Sequence, residues 1–357
     1  MTPSLPRFTS ILVLVALISA CGDDDDTPTL DAAMADANVP DAGPSDGGNE
    51  DGGSDDGGAM SDAGCIGPPG LYVPGSCETL ADGVRPFEPR YVLWADDAGK
   101  GRWVYLPPGE LIDTSDPDEW IFPVGTRFYK EFGLGGQRLE TRLLEKTGAD
   151  PGLSSWNVTT YVWDEAQRTA TQATTVVPDV LGTPHDVPSR AQCGTCHRDS
   201  VDSVLGFSAV QLAHDGAGVT LATLLSEGSL SAPIDPLEAQ VPGDDVTRAA
   251  LGYMHANCGN CHRGVRAPGE LRLRVDVGLA TPAETGAYAA FGNTALYAGG
   301  PVTITAQITP GIPAESLVLW RMEQRVETEQ MPPIATEIVD TEGVAAVRAW
   351  IAAQPPL

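Results

Sequence analysis

Arg138-Leu139-Glu140-Thr141-Arg142-Leu143 alternates charged with less polar side chains. In an extended strand successive side chains point to opposite faces, so Leu139, Thr141 and Leu143 fall on one side and the charges on the other. The pattern predicts a strand buried on one face. Upstream, residues 126–132 (TRFYKEF) are joined to it by Gly133-Leu134-Gly135-Gly136-Gln137, a link of the length found in longer hairpin loops. Residues 156–163 (WNVTTYVW), 102–106 (RWVYL) and 119–124 (EWIFPV) add β-branched and aromatic runs. Five strand candidates between 65 and 183 predict a β-rich module, an antiparallel sandwich or barrel-like sheet with its tryptophans in the core.

Before this module the chain is of another kind. Arg7 precedes the apolar run 11–20 (ILVLVALISA) and then Cys21. That run is too short to span a bilayer but suits an export signal over residues 1–21. Residues 22–64 hold 13 of the 49 acidic residues, no Lys or Arg, and few large apolar side chains. Such a stretch cannot bury enough surface to fold, and its charges repel one another; it is expected to be a disordered linker. The chain carries a net charge of −28, much of it outside the linker. A surface of that sign disfavours nucleic acid and suits a basic protein partner. In an exported chain Cys65 and Cys77, flanking IGPPGLYVPGS, are expected to form a disulfide.

From residue 184 the pattern changes again, with fewer aromatics and helical stretches. Residues 246–257 (VTRAALGYMHAN) place Val246, Ala250, Leu251 and Met254 along one helical face, with Asp244 or Asp245 to cap them. Asp340 can cap 341–353 (TEGVAAVRAWIAA), where Val344, Val347, Trp350 and Ile351 form a second stripe.

The chemistry sits in the same region. Cys193-Gly194-Thr195-Cys196-His197 and Cys258-Gly259-Asn260-Cys261-His262 are two C-x-x-C-H units, the signature of covalent haem attachment. Two thiols two residues apart can form thioethers to the two vinyl groups of one haem, and the adjacent His then meets the iron as proximal ligand. A Cys₄ zinc site, a dithiol pair or local disulfides would leave both histidines without a role, although the chain has only five. Two covalently bound haem c groups are therefore expected, attached at Cys193, Cys196, Cys258 and Cys261, with His197 and His262 on iron.

Residues 184–357 resemble exported bacterial dihaem c-type cytochromes, and Ile18-Ser19-Ala20-Cys21 resembles a lipobox, in which the Cys is lipidated. The second unit, about 242–357, is similar to a cytochrome c domain: a helix leads into Cys258, another closes the chain, and Gln330-Met331-Pro332-Pro333 lies between. In that family a Met before Pro commonly supplies the distal ligand, a role that falls on Met331; Met322 and Met254 lie on helical faces and are expected in the core. No comparable loop follows His197. His185 is the favoured sixth ligand of the first haem, then His214, with His255 third. The segments YVLWADD, RWVYLPPG and WIFPVGTRFYKEF resemble the β module that precedes tandem haem regions in some bacterial proteins.

The expected fold is thus α+β and multidomain: a β-rich N-terminal module over 65–183, then a mainly α-helical cytochrome c-like dihaem region over 184–357. The expected function is single-electron transfer in the cell envelope. The protein would be lipid-anchored through Cys21, periplasmic or on the outer-membrane surface, and serve a redox partner protein. A dihaem peroxidase, or the haem subunit of an oxidoreductase with one open haem site, is the alternative. A third possibility makes the β module a docking domain.

Overall fold

The computed structural model describes residues 64–263, 271–297, 300–301, 304–334 and 336–357. The signal, the lipobox Cys21 and all but the last residue of the acidic linker lie outside the described residues.

Six antiparallel strands form a single sheet in sequence order. They are β1 (Val84–Pro86), β2 (Gly99–Tyr105), β3 (Arg127–Leu134), β4 (Gln137–Lys146), β5 (Trp156–Trp163) and β6 (Ala170–Ala173). Each strand pairs with its chain neighbour. The expected sandwich or barrel is not formed among the described residues. Residues 119–124 do not form a strand either: Pro123 has no N–H to give a ladder, and the segment keeps only the bridge between Asp113 and Ile121. The β3–β4 link is also tighter than its sequence implied. Leu134 pairs with Gln137, leaving Gly135 and Gly136 with φ of 59° and 84°, the left-handed pair that a two-residue hairpin turn requires.

The predicted alternation in β4 is present, but the strand is not buried on one face only. Leu139, Thr141 and Leu143 are 0%, 0% and 4% exposed, and on the opposite face Glu140 is 0% and Lys146 1% exposed. The first face is covered by the N-terminal segment, where Leu71 packs with Tyr129 and Leu143, and by Val180 and Val187 on Leu139. Cys65 and Cys77 are disulfide-bonded, with Cα atoms 5.8 Å apart, and pack on Trp163. The charged face is covered by the second half of the chain. Phe128, Leu144 and Trp156 from the sheet share one hydrophobic core with Phe207, Leu212, Leu221 and Leu224. Burial of side chains of this size contributes roughly 1.5–3 kcal/mol each.

That shared core corrects the multidomain expectation, because the described residues fall in one compact unit. The second half is not mainly helical either. Its helices are α1 (Arg190–His197), α2 (Ala209–Leu212), α3 (Leu221–Glu227), α4 (Asp245–Asn257), α5 (Gly286–Ala289), α6 (Leu317–Met322) and α7 (Thr341–Ala353). Only α4 and α7 reach 13 residues, and the seven together fill about a third of the described residues of 184–357. Pro282, Pro301, Pro310, Pro313, Pro332 and Pro333 fall between α4 and α7, where each removes a donor and blocks helix propagation.

The two long helices are those the periodicity marked. Asp244 accepts from the Thr247 N–H at 2.9 Å and Asp340 from the Gly343 N–H at 2.8 Å, each cap satisfying an orphan donor of the first turn. Met254, Leu251, Val347, Trp350 and Ile351 make the second core, to which Met322 also belongs. Val246, expected on the buried stripe, is 44% exposed.

Candidate functional site

Helix α1 is short and is held at its start by a capping box. The Ser189 hydroxyl accepts from the Gln192 N–H, and the Gln192 side chain accepts from the Ser189 N–H at 2.8 Å. Three- and four-residue spacing then puts Cys193, Cys196 and His197 on one helical face. That face lines a cavity of 1560 Å³, counting its open mouth, whose opposite wall is the charged face of the sheet: Arg102, Phe128, Lys130, Arg142 and Leu144. The polar half of the alternation in β4 is therefore turned to an internal cavity rather than to solvent.

The second unit continues α4. Cys258 N–H bonds Met254 at 2.9 Å and His262 N–H bonds Cys258 at 2.8 Å, so the helical winding carries through the motif. Gly259 is required here, because a Cβ would lie 2.6 Å from the His255 carbonyl. Cys258, Cys261 and His262 line a second cavity, of 1490 Å³ on the same measure, together with Met331, Pro332, Pro333, Met322 and Leu273. The two cavities adjoin and share Leu93, Cys196, Leu205, Asn260 and Ile334 as walls.

Where the motifs meet, the Cys261 thiol donates to the Thr195 carbonyl at 3.9 Å. The neighbouring Cys261 thiol favours thiolate on Cys196, lowering it to about 7, while Cys261 is raised and keeps its proton. Burial raises Cys193, and pushes Cys258 up to about 12.

The imidazoles are set up unequally. His197 Nδ1 donates to the Ser203 carbonyl at 2.6 Å, which leaves the Nε2 lone pair to the cavity. Burial lowers its pKa to about 4, so it is neutral at neutral pH. Ser203 is fully buried and sits at φ 60°, a left-handed conformation uncommon outside glycine, which stores strain where it aims that carbonyl. Its neighbour Asp202 anchors the turn. Asp202 pairs with Lys146 of β4 and accepts from the Phe122 N–H at 2.8 Å and the Trp156 indole at 3.1 Å. His262 is likewise lowered by burial, and its Nδ1 is buried with no hydrogen-bond partner among the described residues.

The favoured candidates for the first distal position are not brought to it. His185 Nε2 bonds buried Glu140 at 2.7 Å and its ring packs on Phe132. His214 is committed through both nitrogens, to the Glu88 carbonyl at 2.8 Å and the Gly216 N–H at 2.9 Å. Neither lines the cavity. The imidazole that does so beside His197 is His255, the third candidate. Its Nδ1 accepts from the Val275 N–H at 3.1 Å, so in this neutral ring, lowered to about 3 by burial and Arg274, the proton sits on Nε2. His255 presents a donor, not a lone pair.

Against protein-family models, curated proteins and solved structures, the chain has no match.

The donor set fits haem. Each cavity is walled mainly by apolar side chains and presents the two thiols, three positions apart, and the imidazole of its own motif. One proximal nitrogen already has the carbonyl acceptor that orients a ligating His, and the other is an orphaned buried atom. Among the described residues no group of three or more His, Cys, Asp or Glu could hold a metal ion.

The segment YVLWADD contributes what sequence reasoning missed. Leu93 and Trp94 wall the second cavity. Asp96 accepts from the Glu337 and Ile338 N–H groups at 2.9 and 3.0 Å, tying the N-terminal half to the loop that bears Met331. The positive φ of 47° at Asp96 is a backbone feature that no side-chain pattern announces.

Proposed function

We propose that this chain is a dihaem c-type cytochrome that passes single electrons, with one haem on Cys193 and Cys196 and the other on Cys258 and Cys261. The observation that carries this is the contact between the motifs. Cys261 bonds the carbonyl of Thr195, next to Cys196, at 3.9 Å, and both thiols line one cavity, so groups attached at the two motifs would be neighbours. Haem supplies a reversible one-electron change at its iron.

The chain's own residues do the rest. His197 and His262 each offer a neutral imidazole, Ser203 fixes the His197 ring, and the apolar walls exclude water. Met331 lines the cavity of His262 and is the sixth ligand in this proposal; a soft thioether favours the reduced state and raises the potential of the second haem. Export and anchoring through Cys21 belong to the same proposal, as does docking of a redox partner protein on the acidic surface. No helix among the described residues is long and apolar enough to cross a membrane.

The His255 ring favours a second reading, in which the first haem is open opposite His197 and the protein is an oxidoreductase. A buried Nε2–H aimed into that cavity would donate to a small ligand there. Optical and EPR spectra of both redox states, with and without carbon monoxide, decide between them. Two low-spin haems inert to carbon monoxide would support the electron carrier and sink the open site. Carbon monoxide binding at one haem would do the reverse. In the carrier, Met331→Ala should abolish the sulfur-to-iron charge-transfer band and lower the potential of one haem only.

A further inference from the structure

The wall of the first cavity has a charge pattern that the attachment chemistry does not use. Arg102 of β2 lies directly opposite Lys130 of β3, and Lys130 opposite Arg142 of β4. Directly paired residues project from the same face, so three cations stand in a row across three strands, and all three line the cavity of Cys193, Cys196 and His197. Like charges in direct cross-strand pairs are destabilising. Only Arg142 is ion-paired, with Glu140, which is also bound to His185; Glu88 favours the charge on Arg102 from a distance. The side chains of Arg102 and Lys130 have no hydrogen-bond partner among the described residues; the Lys130 ammonium lies 4.8 Å over the Phe132 ring. Burial and the flanking cations Arg102, Arg142 and Lys100 push Lys130 well below its ordinary pKa. An enclosed row of this kind costs free energy until an anion completes it.

We infer that Arg102, Lys130 and Arg142 form a carboxylate-binding row, and that its occupants are the propionates of the haem carried by Cys193 and Cys196. This rests on the dihaem proposal, which puts a dicarboxylate in this same cavity. The second cavity has no such row: Arg321 is its lone cationic lining residue among those described. The row therefore distinguishes the two haems. Cations beside the propionates disfavour the oxidised, more positive iron, so the row raises the first haem's potential.

The test uses the full haem-loaded chain with Arg102→Gln, Lys130→Gln and the double substitution. Intact-chain mass and the alkaline pyridine spectrum count covalent haem, and a potentiometric titration followed by EPR assigns the midpoints. The double variant should keep two haems, while at fixed potential the oxidised-to-reduced ratio of the first haem rises about tenfold, a fall of roughly 59 mV for a one-electron couple. The second haem should barely move. If the charge-removing variants fail to load the first haem, then Arg102→Lys with Lys130→Arg should load it at the wild-type potential. Failure of that pair as well would overturn the inference.

Two haems with an unmoved first midpoint would sink the inference and leave the dihaem proposal standing. A wild-type chain without covalent haem would sink both. If the wild-type midpoint instead shifts with added phosphate or acetate, and the variants lose only that response, the row binds a diffusible anion and the propionate assignment is wrong.

Discussion

Asp118 shows how the first cavity is poised at the level of single groups. Burial raises its carboxyl to about 6, against the Val277 N–H that it accepts at 3.0 Å. A folded-state value above the unfolded one favours the protonated form. Its contribution is therefore complete below about pH 4 and is lost as pH rises through about 6. Asp118→Asn keeps the acceptor oxygen and removes the charge, so it should stabilise the protein by about 1–2 kcal/mol at pH 8, after allowance for solvent screening, and by almost nothing at pH 4. Thermal denaturation at the two pH values checks this; an equal gain at both would contradict it. The Lys146–Asp202 pair behaves oppositely, since both side chains are essentially unexposed. Lys146→Met would strand a buried carboxylate at a cost of about 3–5 kcal/mol, read from the denaturant midpoint, with Asp202→Asn in the same chain recovering part of the loss. Because Asp202 precedes Ser203, whose carbonyl holds His197, this pair lies behind the imidazole proposed to ligate the first haem. The motifs marked His197 and His262 from sequence, whereas neither Asp202 nor Ser203 carried any signal, since their roles arise from a turn folded against a strand more than 50 residues earlier.

Among the elements, β4 and the two long helices were legible because each has a period that burial enforces. What misled was the inference from charge to solvent. Arg142 and Glu140 are polar, so the strand was expected to be wet on that face, but the two pair with each other, and Glu140 with His185, inside the fold. The helical expectation for the second half failed for a related reason. Two amphipathic runs were extrapolated across a stretch whose prolines prevent helix and whose core is built from isolated bridges, such as Phe291 with Ile308 and Ala306 with Ser316. The Gly135–Gly136 turn allows a clean test at this scale. A Cβ on Gly136 meets nothing within 4 Å, so Gly136→Ala is purely a backbone substitution at φ 84°. It should cost about 1–2 kcal/mol without moving either haem potential; a potential shift would show that the hairpin reaches the site.

Across the whole molecule, the change in composition at 183/184 is one of texture and not of packing. The core that backs the first cavity draws on both sides of it. A docking domain free to act alone is hard to reconcile with a sheet whose polar face walls that cavity and whose neighbouring segment, through Trp94 and Asp96, braces the Met331 loop.

The sequence-order sheet also bears on timing. Every strand pairs with its immediate predecessor, so no strand of the sheet waits for a partner made in the second half of the chain. In the exported dihaem protein proposed above, all six strands would leave the exporting machine before Cys193, whereas Met331, α6 and α7 follow Cys258. The wall of the first cavity could then be finished before its thiols emerge, while that of the second would close only after Cys258 and Cys261. Maturation intermediates caught by pulse-labelling and mass spectrometry should therefore carry a single haem, on Cys193 and Cys196. Equal loading of both motifs would show that delivery, and not the order of synthesis, sets the sequence of assembly.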